Sequence, residues 1–210
     1  AAAPAAVAKG IGAMRVLVAH PGMQHAHQLA WALEEAGHLA AFWSGVPVRD
    51  ARLLPTGLFG RLQRNLRTVP IPAKKRRHAL LFPLFQRRVF ARLPARWAND
   101  LSHRLDHLYD RWVAGRVAAL RPDLVVCYEN AALRTFEAAK RVGAVCVLDA
   151  ASVHYAAQRQ QLAALGRANP KWVDDQKQRE IDLADAILTC SDLAAESYIC
   201  AGVPAAKLTA

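Results

Sequence analysis

Short apolar runs alternate with amphipathic stretches through most of this 210-residue chain. The run from Met14 to Ala19, ended by a turn at Pro21 and Gly22, reads as a strand buried on both faces of a parallel sheet. Leu29, Leu33 and Ala36 then recur at helical spacing until Gly37 supplies a stop, and Leu39 to Trp43 reads as a second strand. After Pro94, residues Trp97, Leu101, Leu105, Leu108, Trp112, Val113 and Val117 mark one face of a long amphipathic helix ending near Leu120. From there the rhythm is regular. "RPDLVVCYE", "AVCVLD" and "DAILTC" read as strands. "AALRTFEAAKRVG" reads as a helix closed by Gly143, "NPKWVDDQKQREIDLA" as one opened by Asn-Pro, and "SDLAAESYICAGV" as one capped by Ser191 and stopped by Gly202. The closing "AKLTA" looks like the beginning of a further strand. Strands alternating with helices of this length predict right-handed crossovers and an α/β fold: a Rossmann-like, doubly wound, mostly parallel sheet.

One region breaks the rhythm. Five prolines fall between Pro55 and Pro94, no alternating strand pattern runs through it, and residues of about 55–97 are expected to form a basic helical insert interrupted at Pro83. Charge sharpens the contrast. Of the net +11, residues 49–97 hold thirteen Arg or Lys against the single acid Asp50, a local balance of +12, so the rest of the chain is close to neutral. Phe82, Phe85, Phe90 and Trp97 lie among these cations. An anionic membrane surface would attract such a segment; the alternative is a solvated face whose aromatics pack onto the domain. No recognised nucleic-acid module accompanies the cations, and no nucleic-acid partner is expected.

The length suits one α/β domain, taken as residues 14–210, with 1–13 an alanine-rich tail lacking the cationic start and leucine-rich core of a secretory signal. Nothing approaches the roughly 18 consecutive apolar residues of a membrane-spanning helix. Cys127, Cys146, Cys190 and Cys200 form no C-x-x-C pair, and three of them fall in apolar, strand-like runs, which points to a reduced, cytoplasmic protein.

Ligands of open α/β sheets bind outside the carboxyl ends of the strands. The residues there are His20, Gly22 and His25; Tyr128, Glu129 and Asn130; Asp149, Ser152 and His154; and Ser191. Gly22 allows close approach of a ligand to the backbone, next to a helix N-terminus whose free N–H groups favour anions or sugar hydroxyls. An ordinary β-α turn is the alternative. His154 could serve as a general base or hydrogen-bond a substrate hydroxyl, or simply face solvent. Glu180 could be a buried carboxylate facing the same cleft, or one member of a solvated face. No G-x-G-x-x-G or P-loop is present. His25 and His27, two apart, cannot share a helix face, so no metal site is expected there.

Three segments carry a resemblance. "HPGMQHAHQLAWALEEAGH", with Leu29, Ala30, Leu33, Gly37 and His38, is similar to the first β-α unit of GT-B glycosyltransferases of family 4. "RPDLVVCYENAALRTFEAAKRVGAVCVLDAASVHY" resembles that family's strand-helix-strand and loop histidine, and "REIDLADAILTCSDLAAESYICAGVPAAKL" its E-x-x-x-A-D-x-I-x-x-x-S and G-V-P-x-x-K-L segments. The basic insert matches no part of the family. The resemblance implies the N-terminal, acceptor-side domain of a retaining, metal-independent enzyme that moves a sugar from a nucleotide-sugar donor to a glycan or lipid-linked acceptor. No cofactor is expected, the nucleotide-sugar serving as co-substrate. Surface polysaccharide synthesis at the inner face of the membrane would be its setting. It also implies a C-terminal nucleotide-sugar-binding domain beyond these residues, without which transfer is not expected. His154 would match the loop histidine that contacts the transferred sugar, Gly22 would face the donor, and His25, Glu129, Asn130 and Ser152 would line the substrate cleft. The family's first loop often has paired glycines, and here Gly22 stands alone. Two further readings stay open: a non-catalytic Rossmann-like module binding a ligand or protein, and an epimerase of related fold with His20 and Glu129 as acid and base.

Overall fold

The computed structural model describes residues 14–22, 25–45, 70–79, 94–163 and 169–210. Seven strands share one sheet: β1 (Val16–His20), β2 (Leu39–Ser44), β3 (Arg76–His78), β4 (Leu124–Tyr128), β5 (Val145–Ala150), β6 (Ala186–Thr189) and β7 (Leu208–Thr209). Their order is β3-β2-β1-β4-β5-β6-β7, and every pairing is parallel. The described helices are α1 (Ala26–Glu35), α2 (Ala95–Leu120), α3 (Leu133–Arg141), α4 (Tyr155–Ala163), α5 (Lys171–Leu183) and α6 (Asp192–Cys200). The α/β, Rossmann-like fold read from the sequence is the fold observed.

Alternation along the strands divides two cores. Leu17, Ala19, Val125, Cys127, Cys146 and Leu148 pack with Tyr109, Val113 and Val117 of α2, Phe136 of α3, Ile181 of α5 and Tyr198 of α6. Val16, Val18, Phe42, Val126 and Val147 turn to the other face, where Ala26 and Ala30 of α1 cover them. Since α1 and α3 lie on opposite faces, the chain diverges between neighbouring β1 and β4, and a crevice opens at the carboxyl ends of these strands. One buried bond ties the long helix to the sheet: the Tyr109 hydroxyl donates to the Trp43 carbonyl at 2.6 Å.

The expected stops are in place. Gly37, Gly143 and Gly202 have positive φ, and Ser191 Oγ accepts the Ala194 N–H at the start of α6. Gly45 has a steric role, because a Cβ there would lie 1.9 Å from the Pro21 carbonyl oxygen, so the end of β2 can press against the turn after β1 only without a side chain.

Two expectations need correction. Within the basic insert the described residues 70–79 are not helical: Ala73–Lys75 is a 3-10 turn and Arg76–His78 adds to the sheet beside β2. Alternation over three residues is too short to register as a strand pattern, and a short charged strand suits an exposed sheet edge, where it resists pairing with other chains. The insert's remaining residues, 55–69 and 80–93, with Phe82, Phe85 and Phe90, lie outside the described residues. The cysteines are also less uniform than expected. Cys127 and Cys146 are buried in strands, whereas Cys190 and Cys200 are exposed. No described helix is long and apolar enough to cross a membrane.

Candidate functional site

At the carboxyl ends of β1, β4 and β5 the predicted residues form linked pairs. His25, at the start of α1, reaches across to Asp149 at the end of β5, with Nε2 2.7 Å from Oδ2. Burial raises the Asp149 carboxyl above its usual range, partly opposed by His25. Next to it, Glu129 N–H donates to the Asp149 carbonyl at 3.1 Å. Both Glu129 oxygens are engaged: Ser152 Oγ donates to Oε1 at 2.6 Å, and the Lys177 ammonium of α5 stands 3.4 Å from Oε2. Lys177 and Glu129 are buried together, a paired arrangement that offsets the cost of taking two charges from water.

Two histidines are fixed in the same way. The Gly22 N–H donates to His20 Nδ1 at 2.8 Å, and the Ala156 N–H donates to His154 Nδ1 at 3.2 Å. An imidazole that accepts at Nδ1 carries its proton on Nε2 while neutral. Burial, then the charges of His25 and His27, holds His20 down to about 4. Burial and Lys177 also lower His154, against the pull of Glu129. Both rings are therefore neutral at pH 7 and suit hydrogen-bond donation rather than proton cycling. His20 Nε2 is buried without a hydrogen-bond partner among the described residues, its ring 4.2 Å from that of Tyr128. His154 is buried between Tyr155 and Tyr198, and its backbone N–H donates to Ser197 Oγ, which ties its loop to α6.

Asn130 is drawn elsewhere. Its φ of 69° turns the chain after β4, and its side-chain Nδ2 lies 2.6 Å from His103 Nδ1 and 3.3 Å from Asp106 Oδ2, both on α2. Burial pushes Asp106 up to about 7. Beneath this turn Glu180 is fully buried, accepting N–H groups from Asn130, Ala132 and Leu133, so the orphan donors at the start of α3 meet a carboxyl group from the chain itself. Asp110 accepts the next two, from Arg134 and Thr135. The buried reading of Glu180 holds, although its oxygens serve the backbone.

Sequence reasoning missed Lys177, His103, Asp106 and Asp110. Lys177 had a signal. It falls on the stripe of α5 that also carries Val173, Glu180 and Ile181, the face turned to the core. His103, Asp106 and Asp110 recur on the inner side of α2 among residues that read as ordinary helix surface. Among the described residues, no group of three or more His, Cys, Asp or Glu side chains is placed to share a metal ion.

No known family profile matches the chain, and no curated protein does. Solved structures do resemble it. A UDP-N-acetylglucosamine 2-epimerase from Rickettsia bellii aligns at 14% identity and TM-score 0.50 over 94% of this chain and 44% of its own. A second UDP-N-acetylglucosamine 2-epimerase aligns at 8% identity and TM-score 0.53 over 94% of this chain and 46% of its own. UGT2 of Phytolacca americana, solved with UDP-2fluoro-glucose and pterostilbene, aligns at 12% identity and TM-score 0.48 over 93% of this chain and 52% of its own. The chain thus spans less than half the length of the epimerases it resembles, and what it shares with them is the α/β fold, of GT-B type.

Proposed function

We propose that the chain is the acceptor-side N-terminal domain of a GT-B enzyme acting on a nucleotide-sugar, a family 4-type retaining glycosyltransferase that needs no metal. The observation that carries this reading is that His20, His25, Glu129 and Ser152 come together around Asp149 at the carboxyl ends of β1, β4 and β5, with His154 in the loop after β5 near enough to feel the charges of Glu129 and Lys177. Fixed N–H donors and buried carboxylates suit sugar hydroxyls, which need both donors and acceptors. His154 Nε2–H would hold a hydroxyl of the transferred sugar, and Gly22 would admit the donor's phosphates close to the backbone. Asn130, held by α2, would shape the cleft. A second domain would close over the strand ends. The acceptor would be a glycan or lipid-linked, with the basic insert bringing the enzyme to an anionic membrane surface in polysaccharide synthesis.

One observation favours a second reading, an epimerase: the UDP-N-acetylglucosamine 2-epimerases align at TM-scores of 0.50 and 0.53. A neutral His20 makes a poor acid at neutral pH, which weighs against its acid role in that reading. The test is an assay of the full natural polypeptide with a panel of nucleotide-sugars, in EDTA, with products read by NMR. Transfer with retained anomeric configuration is the expected result. A metal requirement, inversion, or no turnover of any donor overturns it, and a C2-epimerised nucleotide-sugar formed without acceptor replaces it with the second reading.

A further inference from the structure

A cavity of about 380 Å³ lies where α2, the start of α3 and α5 meet. Gln176 separates it from the strand-tip cluster, its amide donating to the Asn130 carbonyl at 3.2 Å and to Glu180 Oε1 at 3.0 Å. Three arginines line the cavity, Arg111, Arg134 and Arg179. Arg134 and Arg179 share one carboxylate, Glu137, at 2.9 Å each, and Arg111 has no ion pair among the described residues. Asp110 and Asp175 line the same cavity, Asp110 accepting the N–H groups of α3 and Asp175 pairing with Lys171 at 2.7 Å. Arg111, Arg134, Arg179 and Lys171 thus outnumber Asp110, Asp175 and Glu137 by one charge, and Arg111 is the cation without an acid of its own among the described residues. Trp172 and Leu133 add apolar surface. His107, edge-on to Trp172 at 5.1 Å, also lines the cavity, and its Nε2 is buried with no hydrogen-bond partner among the described residues.

We propose that this cavity binds a small oxyanion, a phosphate or carboxylate group on a body of sugar-ring size, held by Arg111, Arg134 and Arg179 with the body against Trp172 and Leu133. Guanidinium forks match both oxyanions geometrically, and the volume falls in the range of small-molecule pockets, roughly 300–1,000 Å³. Burial and neighbouring cations keep His107 neutral, down to about 4, so it can supply a hydrogen bond without adding charge. The assignment stands on the cavity alone and does not depend on the nucleotide-sugar reading.

Calorimetric titration of the chain with glucose 1-phosphate, glucuronate and glucose tests it. At least one of the two anions is expected to bind, with glucose weaker by about tenfold or more, and the tighter anion names the group. Arg111→Gln and Arg179→Gln alter exposed side chains and are each expected to weaken anion binding about tenfold without shifting Tm. Arg141→Gln, exposed on α3 away from the cavity, is expected to change nothing. In NMR spectra the Trp172 indole N–H should shift on adding the anion while that of Trp31 stays. Neither anion binding at about 10 mM overturns the proposal. So does glucose binding as tightly, unchanged affinity in both variants, or a shift confined to Trp31.

Discussion

Glu180 Oε2 accepts the Asn130 backbone N–H at 2.6 Å, and the same carboxylate's other oxygen takes the Ala132 and Leu133 N–H groups at 3.0 and 3.2 Å. A single buried side chain from α5 thus holds the left-handed turn at Asn130 and closes the start of α3. The helix is fixed to the sheet at the edge where ligands of this fold class bind.

That closure gives stability a pH dependence. Burial pushes the Glu180 carboxyl from 4.5 up to about 8, against the opposing pull of its N–H donors. Between these values the folded chain keeps a proton that the unfolded chain has lost. The contribution of Glu180 is full below the unfolded value and is lost as pH rises through the folded one, with a slope of at most about 1.4 kcal/mol per pH unit. At pH 5 Glu180→Gln is expected to lower stability by about 1–3 kcal/mol, because the Gln NH2 turns a donor toward backbone N–H groups where the protonated carboxyl presents an oxygen. The advantage of wild type over variant in urea-unfolding free energy should fall steadily from pH 5 to pH 8, by up to about 4 kcal/mol, which is enough to reverse its sign. A constant difference refutes the assignment.

The Lys177–Glu129 pair lends itself to a double-mutant cycle. Each partner is about nine-tenths buried and stands 3.4 Å from the other, so removing one strands a charge in the interior. Lys177→Met and Glu129→Gln are each expected to cost about 3 kcal/mol, and the double variant clearly less than their sum. Chemical denaturation at pH 7 measures the cycle, and additive losses would show that the two charges do not depend on each other.

Much of this arrangement was legible before any coordinates. Strand runs such as LVVCY and VCVLD are apolar on both faces, and Gly37, Gly143 and Gly202 end helices through a local rule, so the elements and their parallel order follow from nearest neighbours in sequence. The rule that ligands bind at strand ends then brought His25, Glu129, Ser152 and His154 into view. Their partners were harder to read. Lys177 was marked only by its place on the buried stripe of α5, and His103 and Asp106, which hold Asn130, come from a helix distant in sequence whose charged residues carry no local mark of being buried. The edge strand Arg76–His78 was hidden for a related reason: its place is set by pairing with β2, not by its own composition.

His25 and Asp149 provide a milder test of the strand-tip cluster. The pair closes at 2.7 Å with Asp149 only 10% exposed, while His25 is 45% exposed and water can replace it in part. His25→Ala is therefore expected to cost about 1 kcal/mol, well below the Lys177 variant. Thermal unfolding at pH 7 decides it, and a loss as large as that of Lys177→Met would mean that His25 is needed to bury the Asp149 carboxylate.

In the proposed enzyme, His154 would act as a fixed donor. Its Nδ1 accepts the Ala156 N–H, its Nε2 holds the proton, and burial, Lys177 next, keeps the ring from charging near neutrality. His154→Ala is then expected to lower kcat/KM about 100-fold, the usual loss for one preorganised donor. His154→Gln, whose amide can place an N–H near the position of Nε2, should recover part of that loss. Lowered from the ordinary histidine range, the ring is neutral from about pH 7 upward and leaves no mark there, so wild type and His154→Gln should share any acidic limb in kcat/KM seen between pH 7 and 8. Were that limb to vanish in the glutamine variant, His154 would be cycling a proton, and the role of neutral donor would pass to His20, whose Nε2 is buried without a partner among the described residues.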